Sequence, residues 1–241
     1  MTYIRSILFN ILFFLGSTFF SLALLWVFFV PRKVAEKYVN IYFKYIDWIE
    51  RYILNLKLEL RGLENLPKDG SFILAAKHQS AYETLKLPII LKDPAVILKR
   101  ELTYIPVWGW YTKKLGMIDI DRGSGHQAMR SIIRGALRVK EEGRPIIIFP
   151  QGTRVAPDVK KPYKSGMLKI YKETQLPIIP MAINSGVFWG KNSFIKRPGT
   201  VVFKFLPPIS TEKPQQDIMH ELEDTLEQES DKLVQEAREQ L

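Results

Sequence analysis

The sequence predicts an α/β fold with a mixed, largely parallel sheet flanked by helices, preceded by an N-terminal membrane helix. Three observations lead to this prediction. The chain begins with one long uncharged apolar segment, continues with short apolar runs of strand length, and shows helical periodicity between several of those runs. Strands that alternate with helices pair mainly as parallel strands. A chain of 241 residues is long enough for one such domain and an anchor.

The N-terminal segment is predicted to enter a membrane. Residues from Ser6 to Pro31 are uncharged, and the run from Ile7 to Val30 exceeds the roughly 20 residues that a hydrocarbon core requires. A signal peptide would have a shorter apolar core followed by small residues, where this chain has Trp26 and two phenylalanines. The pattern leaves open whether the helix crosses the bilayer or dips into it and returns.

A second helix is predicted to follow Pro31 and to run to about Asn55. Its aromatic side chains are Tyr38, Tyr42, Tyr45, Trp48 and Tyr52. Tyrosine and tryptophan favour the depth of the lipid headgroups, so this helix is expected to lie on the bilayer, although the same spacing also suits packing on the domain that follows. We therefore assign residues 1–55 to an anchor of one apolar and one amphipathic helix. Residues 56–241 form the α/β domain.

Seven strands and five further helices are predicted along that domain. Apolar runs place the strands at Leu56–Leu60, Phe72–Ala76, Ala95–Leu98, Met117–Ile120, Ile146–Phe149, Ile178–Ile183 and Val201–Phe205. Helical periodicity places the helices at Ala81–Leu91, Pro106–Lys114, Gln127–Glu142, Ser165–Thr174 and about Pro214–Glu239. The last helix is acidic, and its apolar positions indicate a structural cover for the sheet.

Charge and composition favour a membrane partner. The formal net charge is +10, yet about ten acidic residues against three basic ones follow Thr211, so the rest of the chain carries roughly +17. A basic body attached to an apolar helix suits anionic lipid, and no nucleic acid is expected as a partner. The chain has no cysteine, which excludes disulfides, thiolate nucleophiles and zinc–thiolate sites. A reducing setting fits, and we expect a bacterial inner membrane with the domain on its cytoplasmic side.

Functional groups gather where parallel strands end, and the first such turn contains His78. It follows the Phe72–Ala76 run, and Glu83 stands five residues further on. A carboxylate that orients an imidazole makes it a general base able to deprotonate an alcohol. Glu83 also fits a capping box that begins at Ser80 and opens the next helix, which would hold the carboxylate by backbone bonds alone. The sequence leaves both roles open.

Two further turns suit an anion, and a fourth is apolar. Arg122 precedes a predicted helix N-terminus, a combination that favours phosphate. The neighbouring Gly123–Ala128 stretch matches a dinucleotide fingerprint, but the acid that should end the next strand to bind ribose is replaced by Pro150 and Gln151. Residues 149–154 form a basic, glycine-containing turn, which fits an anion site or a solvated loop. Residues 177–180, Pro-Ile-Ile-Pro, fit an acyl path or simple core packing.

Together these turns resemble the lysophosphatidic acid acyltransferases of the glycerolipid acyltransferase superfamily. The family's His-x4-Asp motif is matched by His78 with Glu83 in place of aspartate, and its second motif by Gly116 to Arg122. Its Phe-Pro-Glu-Gly-Thr-Arg motif is matched by residues 149–154 with Gln151 in place of glutamate, and its Pro-x-x-Pro motif by residues 177–180. Residues 99–102, Lys-Arg-Glu-Leu, are similar to its Lys-x-Glu-Leu stretch. The four motifs occur in the family's order over roughly residues 70 to 185.

The resemblance implies transfer of a fatty acyl chain to the 2-hydroxyl of lysophosphatidic acid, giving phosphatidic acid. It implies His78 as base with Glu83 as its partner, no metal and no bound cofactor, and acyl-CoA or acyl-carrier protein as the donor. The residues it assigns to substrate binding are Lys99, Arg122, Gln151, Gly152, Thr153 and Arg154. Another lysolipid or glycerol 3-phosphate as acceptor, and a membrane protein that binds anionic lipid without catalysis, remain alternatives. A serine lipase would need a Gly-x-Ser-x-Gly turn, which the chain lacks.

Overall fold

One seven-stranded sheet forms the centre of the protein. A computed structural model describes residues 1–121, 125–210 and 214–239. Within these ranges the strands are β1 (Leu56–Arg61), β2 (Ile73–Ala76), β3 (Ala95–Lys99), β4 (Ile118–Ile120), β5 (Ile146–Ile148), β6 (Ile178–Ile183) and β7 (Gly199–Phe205), in the spatial order β1-β7-β6-β2-β5-β3-β4. Neighbouring strands run parallel except β6 and β7, which are antiparallel. The predicted fold class and all seven strands are confirmed.

The five helices predicted for the α/β domain agree with the structure to within about two residues, whereas the two N-terminal helices have other bounds than predicted. The helices are α1 (Thr2–Ala23), α2 (Arg32–Tyr52), α3 (Tyr82–Ile90), α4 (Trp108–Lys114), α5 (Gly125–Glu141), α6 (Gly166–Thr174), α7 (Ser185–Phe188) and α8 (Gln215–Arg238). The short α7 was not predicted, because four residues are too few to show a helical period. Residue Pro88 lies inside α3 without ending that helix.

Side chains that alternate along the strands divide the core into two layers. Leu74, Ile147 and Ile179 pack with α2 and α3 on one face of the sheet. Their chain neighbours, among them Ile73 and Ile178, pack with α5, α6 and α8 on the other face, as the two-residue period of a strand requires. The apolar face predicted for α8 is buried at five positions, so the predicted role of this helix as a cover is confirmed. These positions are Ile218, Leu222, Leu226, Leu233 and Ala237.

The N-terminal segment folds back as a helical pair against the domain. Helix α1 ends at Ala23 and is followed by a 3-10 turn, Leu25–Phe29, so the segment predicted as one continuous run is broken near residue 24. Lys114 of α4 donates to the carbonyl of Phe28 at 3.1 Å, which satisfies a backbone group that the break frees. Thr2–Phe29 has the length and composition to cross a membrane, and 11% of its most apolar window is buried. Most residues of that window are therefore not buried by the rest of the protein.

The aromatic side chains of α2 divide between two environments. Tyr42 and Tyr45 contact α1, where their hydroxyls bond Ser17 Oγ at 3.0 Å and the carbonyl of Leu12 at 2.9 Å. Trp48 and Tyr52 are more than half exposed, and Tyr38 is exposed as well. The expected packing is confirmed for Tyr42 and Tyr45, and the position of this helix on a bilayer stays a prediction. The division at residue 55 stays a prediction, and side chains from both sides of it share one core.

Candidate active site

The candidate site lies where three adjacent parallel strands end. Strand β2 stands between β5 and β6 in the sheet, so the segments that follow these three strands meet at one edge. His78 follows β2, the basic turn 149–154 follows β5, and α7 follows β6. The backbone N–H of Val155 donates to the carbonyl of His78 at 2.8 Å and fixes the first two segments to each other.

His78 and Glu83 are in direct contact. The Nδ1 atom of His78 lies 2.8 Å from Oε1 of Glu83, and the imidazole stacks on the Phe149 ring with 4.0 Å between centroids. Alternation along β2 places Lys77 toward α8 and His78 toward α3, which brings the imidazole to the face that carries Glu83. The His78 side chain keeps 16% of its surface exposed, while Glu83 is fully buried. The imidazole of His78 is therefore fixed by the contact of Nδ1 with Glu83 and by the stacking of its ring on Phe149.

The Glu83 carboxylate is held by four polar groups at once. Its Oε1 accepts from the backbone N–H of Gln79 at 2.7 Å and of Ser80 at 2.8 Å, besides contacting His78. Its Oε2 accepts from the Ser185 hydroxyl at 2.8 Å. The bond from Ser80 N–H is half of a capping box, whereas Ser80 Oγ accepts from Tyr82 N–H instead of the Glu83 amide. Oε1 of Glu83 thus both caps the start of α3 and contacts the imidazole of His78.

This arrangement fixes the chemistry available to His78. Two N–H groups and a hydroxyl donate to the Glu83 carboxyl group, which as a carboxylate can only accept hydrogen bonds. The proton between the two residues then sits on Nδ1, and Nε2 keeps its lone pair. Such an imidazole can remove a proton from a hydroxyl group, and the buried carboxylate stabilises the imidazolium that results.

Ser185 was not found from the sequence. It lies at the start of α7, directly after β6, and its hydroxyl is bonded to Glu83 from 102 residues away in the chain. The Gln79 side chain is tied to the same helix, since its Oε1 accepts from Gly186 N–H at 3.0 Å. The sequence pattern that indicated His78 also applies to Ser185, because Asn184–Gly186 follows a buried strand as well. The sequence argument considered instead the prolines 177–180, and Pro180 is buried within β6 beside Ala75, as the core interpretation expected.

The basic turn after β5 presents polar groups next to the imidazole. Arg154 is half-buried, and no carboxylate in the described part of the chain pairs with it. Gln151 is 1% exposed, yet neither Oε1 nor Nε2 has a hydrogen-bond partner among the described residues. Gly152 has φ +68°, a conformation that favours glycine, and Gly152 and Thr153 are half-buried between the other two. Among the described residues, the turn therefore offers a cation without a carboxylate partner, Arg154, and an amide without a hydrogen-bond partner, Gln151.

The other two predicted binding residues are placed differently. Lys99 ends β3, one strand beyond β5 from His78, and its side chain is exposed. Arg122 lies outside the described residues, so its position stays a prediction. Its neighbour Asp121 accepts from Arg100 at 2.8 Å, and Arg100 also donates to Asp119 at 2.8 Å. These two bonds fix the segment that leads to Arg122 against the end of β3.

Comparison with known proteins agrees with this geometry. Residues 57–184 match the family model described as Acyltransferase. A 1-acyl-sn-glycerol-3-phosphate acyltransferase of Pseudomonas aeruginosa is 32% identical over 213 residues, which are 87% of this chain and 82% of that protein. A protein of the same name from Saccharomyces cerevisiae is 28% identical over 70% of this chain and 57% of its own length. The crystal structure of the 1-acyl-sn-glycerophosphate acyltransferase PlsC from Thermotoga maritima superposes with a TM-score of 0.77 at 27% identity, covering 97% of this chain and 98% of the other.

The fold and the site together define an α/β protein with a histidine–carboxylate pair at the carboxyl edge of its sheet. The matched family model and the P. aeruginosa relative add the particular family: the chain belongs to the acyltransferases. The resemblance inferred from the motifs is thereby confirmed. The roles of the individual site residues stay predictions.

Glu83→Gln separates the cap from the imidazole partner. The amide oxygen can still accept from Gln79 and Ser80, and the Ser185 hydroxyl can rotate to accept, so the start of α3 should survive. The charge that stabilises the imidazolium is lost. We expect a melting temperature within a few degrees of the parent and a loss of most of the turnover, measured by thermal unfolding and by steady-state acyl transfer. Glu83→Asp, which is one methylene shorter, should keep part of the activity.

Near-parental turnover of Glu83→Gln would show that the carboxylate serves only as a cap. Ser185→Ala is the matched control, because it removes one bond to Glu83 and leaves the charge in place. It should reduce turnover less than Glu83→Gln does.

Proposed function

We propose that this protein transfers a fatty acyl chain from an acyl thioester to the 2-hydroxyl of lysophosphatidic acid, producing phosphatidic acid. The observation that carries the proposal is the contact between His78 Nδ1 and Glu83 Oε1 at the edge of the sheet where Arg154 stands unpaired. A base beside an anion site suits an acceptor that has both a hydroxyl and a phosphate. The names of the P. aeruginosa and S. cerevisiae relatives support the same reaction.

The proposed step is a direct transfer in a ternary complex. Nε2 of His78 takes the proton of the acceptor hydroxyl while its oxygen attacks the thioester carbonyl. The carbon–sulfur bond of the tetrahedral intermediate then breaks, and the imidazolium returns its proton to the departing thiolate, which leaves as free thiol. No acyl-enzyme forms and no metal or bound cofactor is required. Acyl-CoA and acyl-carrier protein both supply the thioester, and a basic surface suits either one.

The acceptor phosphate is proposed to bind at the turn after β5. Arg154 supplies a guanidinium that no described carboxylate neutralises, and Gln151 supplies a buried amide that can both donate and accept. The related family has glutamate at position 151, so glutamine leaves this site more positive. Gly152, Thr153, Lys99 and Arg122 complete the proposed set.

Arg154→Ala should weaken acceptor binding more than it slows the chemistry. A hydrogen bond to a charged group contributes about 1.5–3 kcal/mol, so the acceptor KM should rise roughly 10- to 100-fold while kcat changes by a smaller factor. Initial rates measured across acceptor and donor concentrations provide the test. Lys161→Ala, an exposed cation of the following loop, is the control and should change neither constant. A rise confined to the donor KM would assign Arg154 to the donor instead.

We propose that the N-terminal helices insert into one leaflet and do not cross the bilayer. Near its start, α1 contacts the loop before β7, where Ser6 Oγ donates to the carbonyl of Lys196 at 3.2 Å. Near its end, the Tyr111 hydroxyl of α4 donates to the carbonyl of Ser21 at 2.9 Å. These points are 15 residues apart, or about 22 Å of helix. A helix fixed at both ends to one polar domain runs along the surface of that domain.

Exposed apolar side chains lie on α1, on α2 and around the start of α4. On α1 they include Ile4, Ile7, Ile11, Phe14, Leu15 and Phe19; beyond it they include Trp48 and Tyr52 of α2 and Tyr104, Ile105, Trp108 and Trp110 around the start of α4. Exposed large apolar side chains in this number favour contact with a membrane. We place these side chains in the cytoplasmic leaflet of a bacterial inner membrane, which also presents the site to lipid acceptors.

Single cysteines can test this disposition, because the chain has none of its own. Thr2→Cys and Lys33→Cys lie at opposite ends of the apolar segment. If the segment stays in one leaflet, a membrane-impermeant maleimide should label both positions in inverted bacterial vesicles and neither in intact spheroplasts. Lys161→Cys in the catalytic domain reports the sidedness of each preparation. Labelling of residue 2 and residue 33 from opposite sides would establish a spanning helix.

His78→Ala tests the reaction and the base together. Purified protein is incubated with labelled acyl donor and lysophosphatidic acid, and phosphatidic acid is measured; the variant should lose a factor of roughly 10² to 10⁴ in turnover. Acceptor binding should change little. Parallel reactions with acyl-CoA and acyl-carrier protein identify the donor, and reactions with another lysolipid and with glycerol 3-phosphate identify the acceptor.

A parent that binds lysophosphatidic acid without forming product would instead be a lipid-binding protein. Product formation that survives in His78→Ala would exclude this histidine as the base while leaving the reaction in place.

A further inference from the structure

A buried pair of opposite charges joins α2 to the helix that carries Glu83. Lys86 is 1% exposed and Glu50 is fully buried, and they form an ion pair between α3 and α2. The Lys86 ammonium also donates to Asp47 at 2.5 Å and lies 4.9 Å from the centroid of the Tyr82 ring. Tyr82 directly precedes Glu83, and Lys86 follows it by less than one helical turn. The Glu83 carboxylate is thus on the same turn of α3 as Lys86.

The Glu50–Lys86 ion pair is not expected to stabilise the fold more than apolar residues would. Charges taken out of water lose hydration, and apolar residues of similar volume stabilise such positions at least as well. Burial raises the pKa of Glu50 to about 7 in spite of the opposing Lys86 charge. Glu50 Oε1 and the Tyr82 hydroxyl also have no hydrogen-bond partner among the residues that the structure describes. A charged pair does, however, restrict the distance and rotation of two helices more narrowly than apolar contacts do.

We infer that Glu50 and Lys86 are positioning residues, which hold α3 against α2 so that the Glu83 carboxylate stays in contact with His78. Neither residue touches the imidazole. Their effect is transmitted along the first turn of α3, whose other contacts include the backbone bonds to Glu83 and the edge contact of Tyr82 with Phe203 at 6.0 Å. The placement of the catalytic carboxylate then depends on the position of α2, the helix that presents Trp48 and Tyr52 at the membrane side.

This inference rests on the proposed function, and it can be tested by separating stability from turnover. Lys86→Met and Glu50→Gln should each lower kcat by about 10- to 100-fold, the usual cost of a misplaced catalytic group, with the acceptor KM within twofold of the parent. The double variant Glu50→Leu/Lys86→Met removes both charges and should regain much of the melting temperature lost in Lys86→Met. Its kcat should remain low, because apolar contacts do not restore the orientation.

A control variant accounts for the loss of an ion pair elsewhere in the fold. Lys204→Met breaks the Lys204–Glu229 pair, which joins β7 to α8 at 2.5 Å and contacts neither α2 nor α3. It should leave kcat unchanged. If the kcat of the double variant returns to the parental value together with its melting temperature, or if the single variants keep parental kcat, the pair is structural only and the inference is wrong.

A second measurement does not require turnover. The proton between His78 Nδ1 and Glu83 should give a low-field resonance, assigned by its absence in His78→Ala. We expect this resonance to shift or broaden in Lys86→Met and in the double variant and to persist in Lys204→Met, at temperatures where each protein is folded. An unchanged resonance in both Lys86 variants would overturn the inference. A parent with this resonance but no product formation would refute the proposed reaction alone.

Discussion

The buried carboxylate of Glu83 is the interaction on which the rest of the site depends. It receives hydrogen bonds from two backbone N–H groups after β2, from the imidazole of His78 and from the hydroxyl of Ser185. A carboxylate without these donors would pay a large desolvation cost in this position, so the four contacts and the burial require each other. One group therefore begins α3, joins α7 to β2 and sets the tautomer of the base.

Features with a local pattern were predictable from the sequence. Each strand is a continuous or alternating apolar run, and His78 and the turn that contains Arg154 follow such runs. The contact between Ser185 and Glu83 has no comparable local signal, because it depends on β6 lying beside β2. The break after Ala23 depends on contacts with α4, and the burial of Glu50 depends on the fit of two helices. Apolar periodicity gives the orientation of a helix but not which polar side chain is enclosed.

Position 151 shows how one substitution changes the electrostatics without changing the turn. The related motif has glutamate, and a carboxylate there would stand three residues before Arg154. Glutamine has the same length and leaves a neutral amide, buried and unpaired within the described residues. Glutamine therefore removes the one charge that would oppose the Arg154 guanidinium from within this turn, which favours an anionic ligand.

The way α1 is attached determines how separable it is. Phe9 of α1 is fully buried and meets Trp189 edge-on at 5.3 Å, within the core that also contains β2 and β6. Gly16 has no side chain because the Tyr45 ring occupies that space, only 2.2 Å from where a Cβ would lie. A membrane anchor without tertiary contacts could be replaced by another helix of equal hydrophobicity. The side chains of α1, in contrast, pack specifically against Trp189 and Tyr45. The apolar segment is therefore a structural part of the enzyme. A shortened soluble form that lacks α1 would have a cavity in its core where the Phe9 side chain packs.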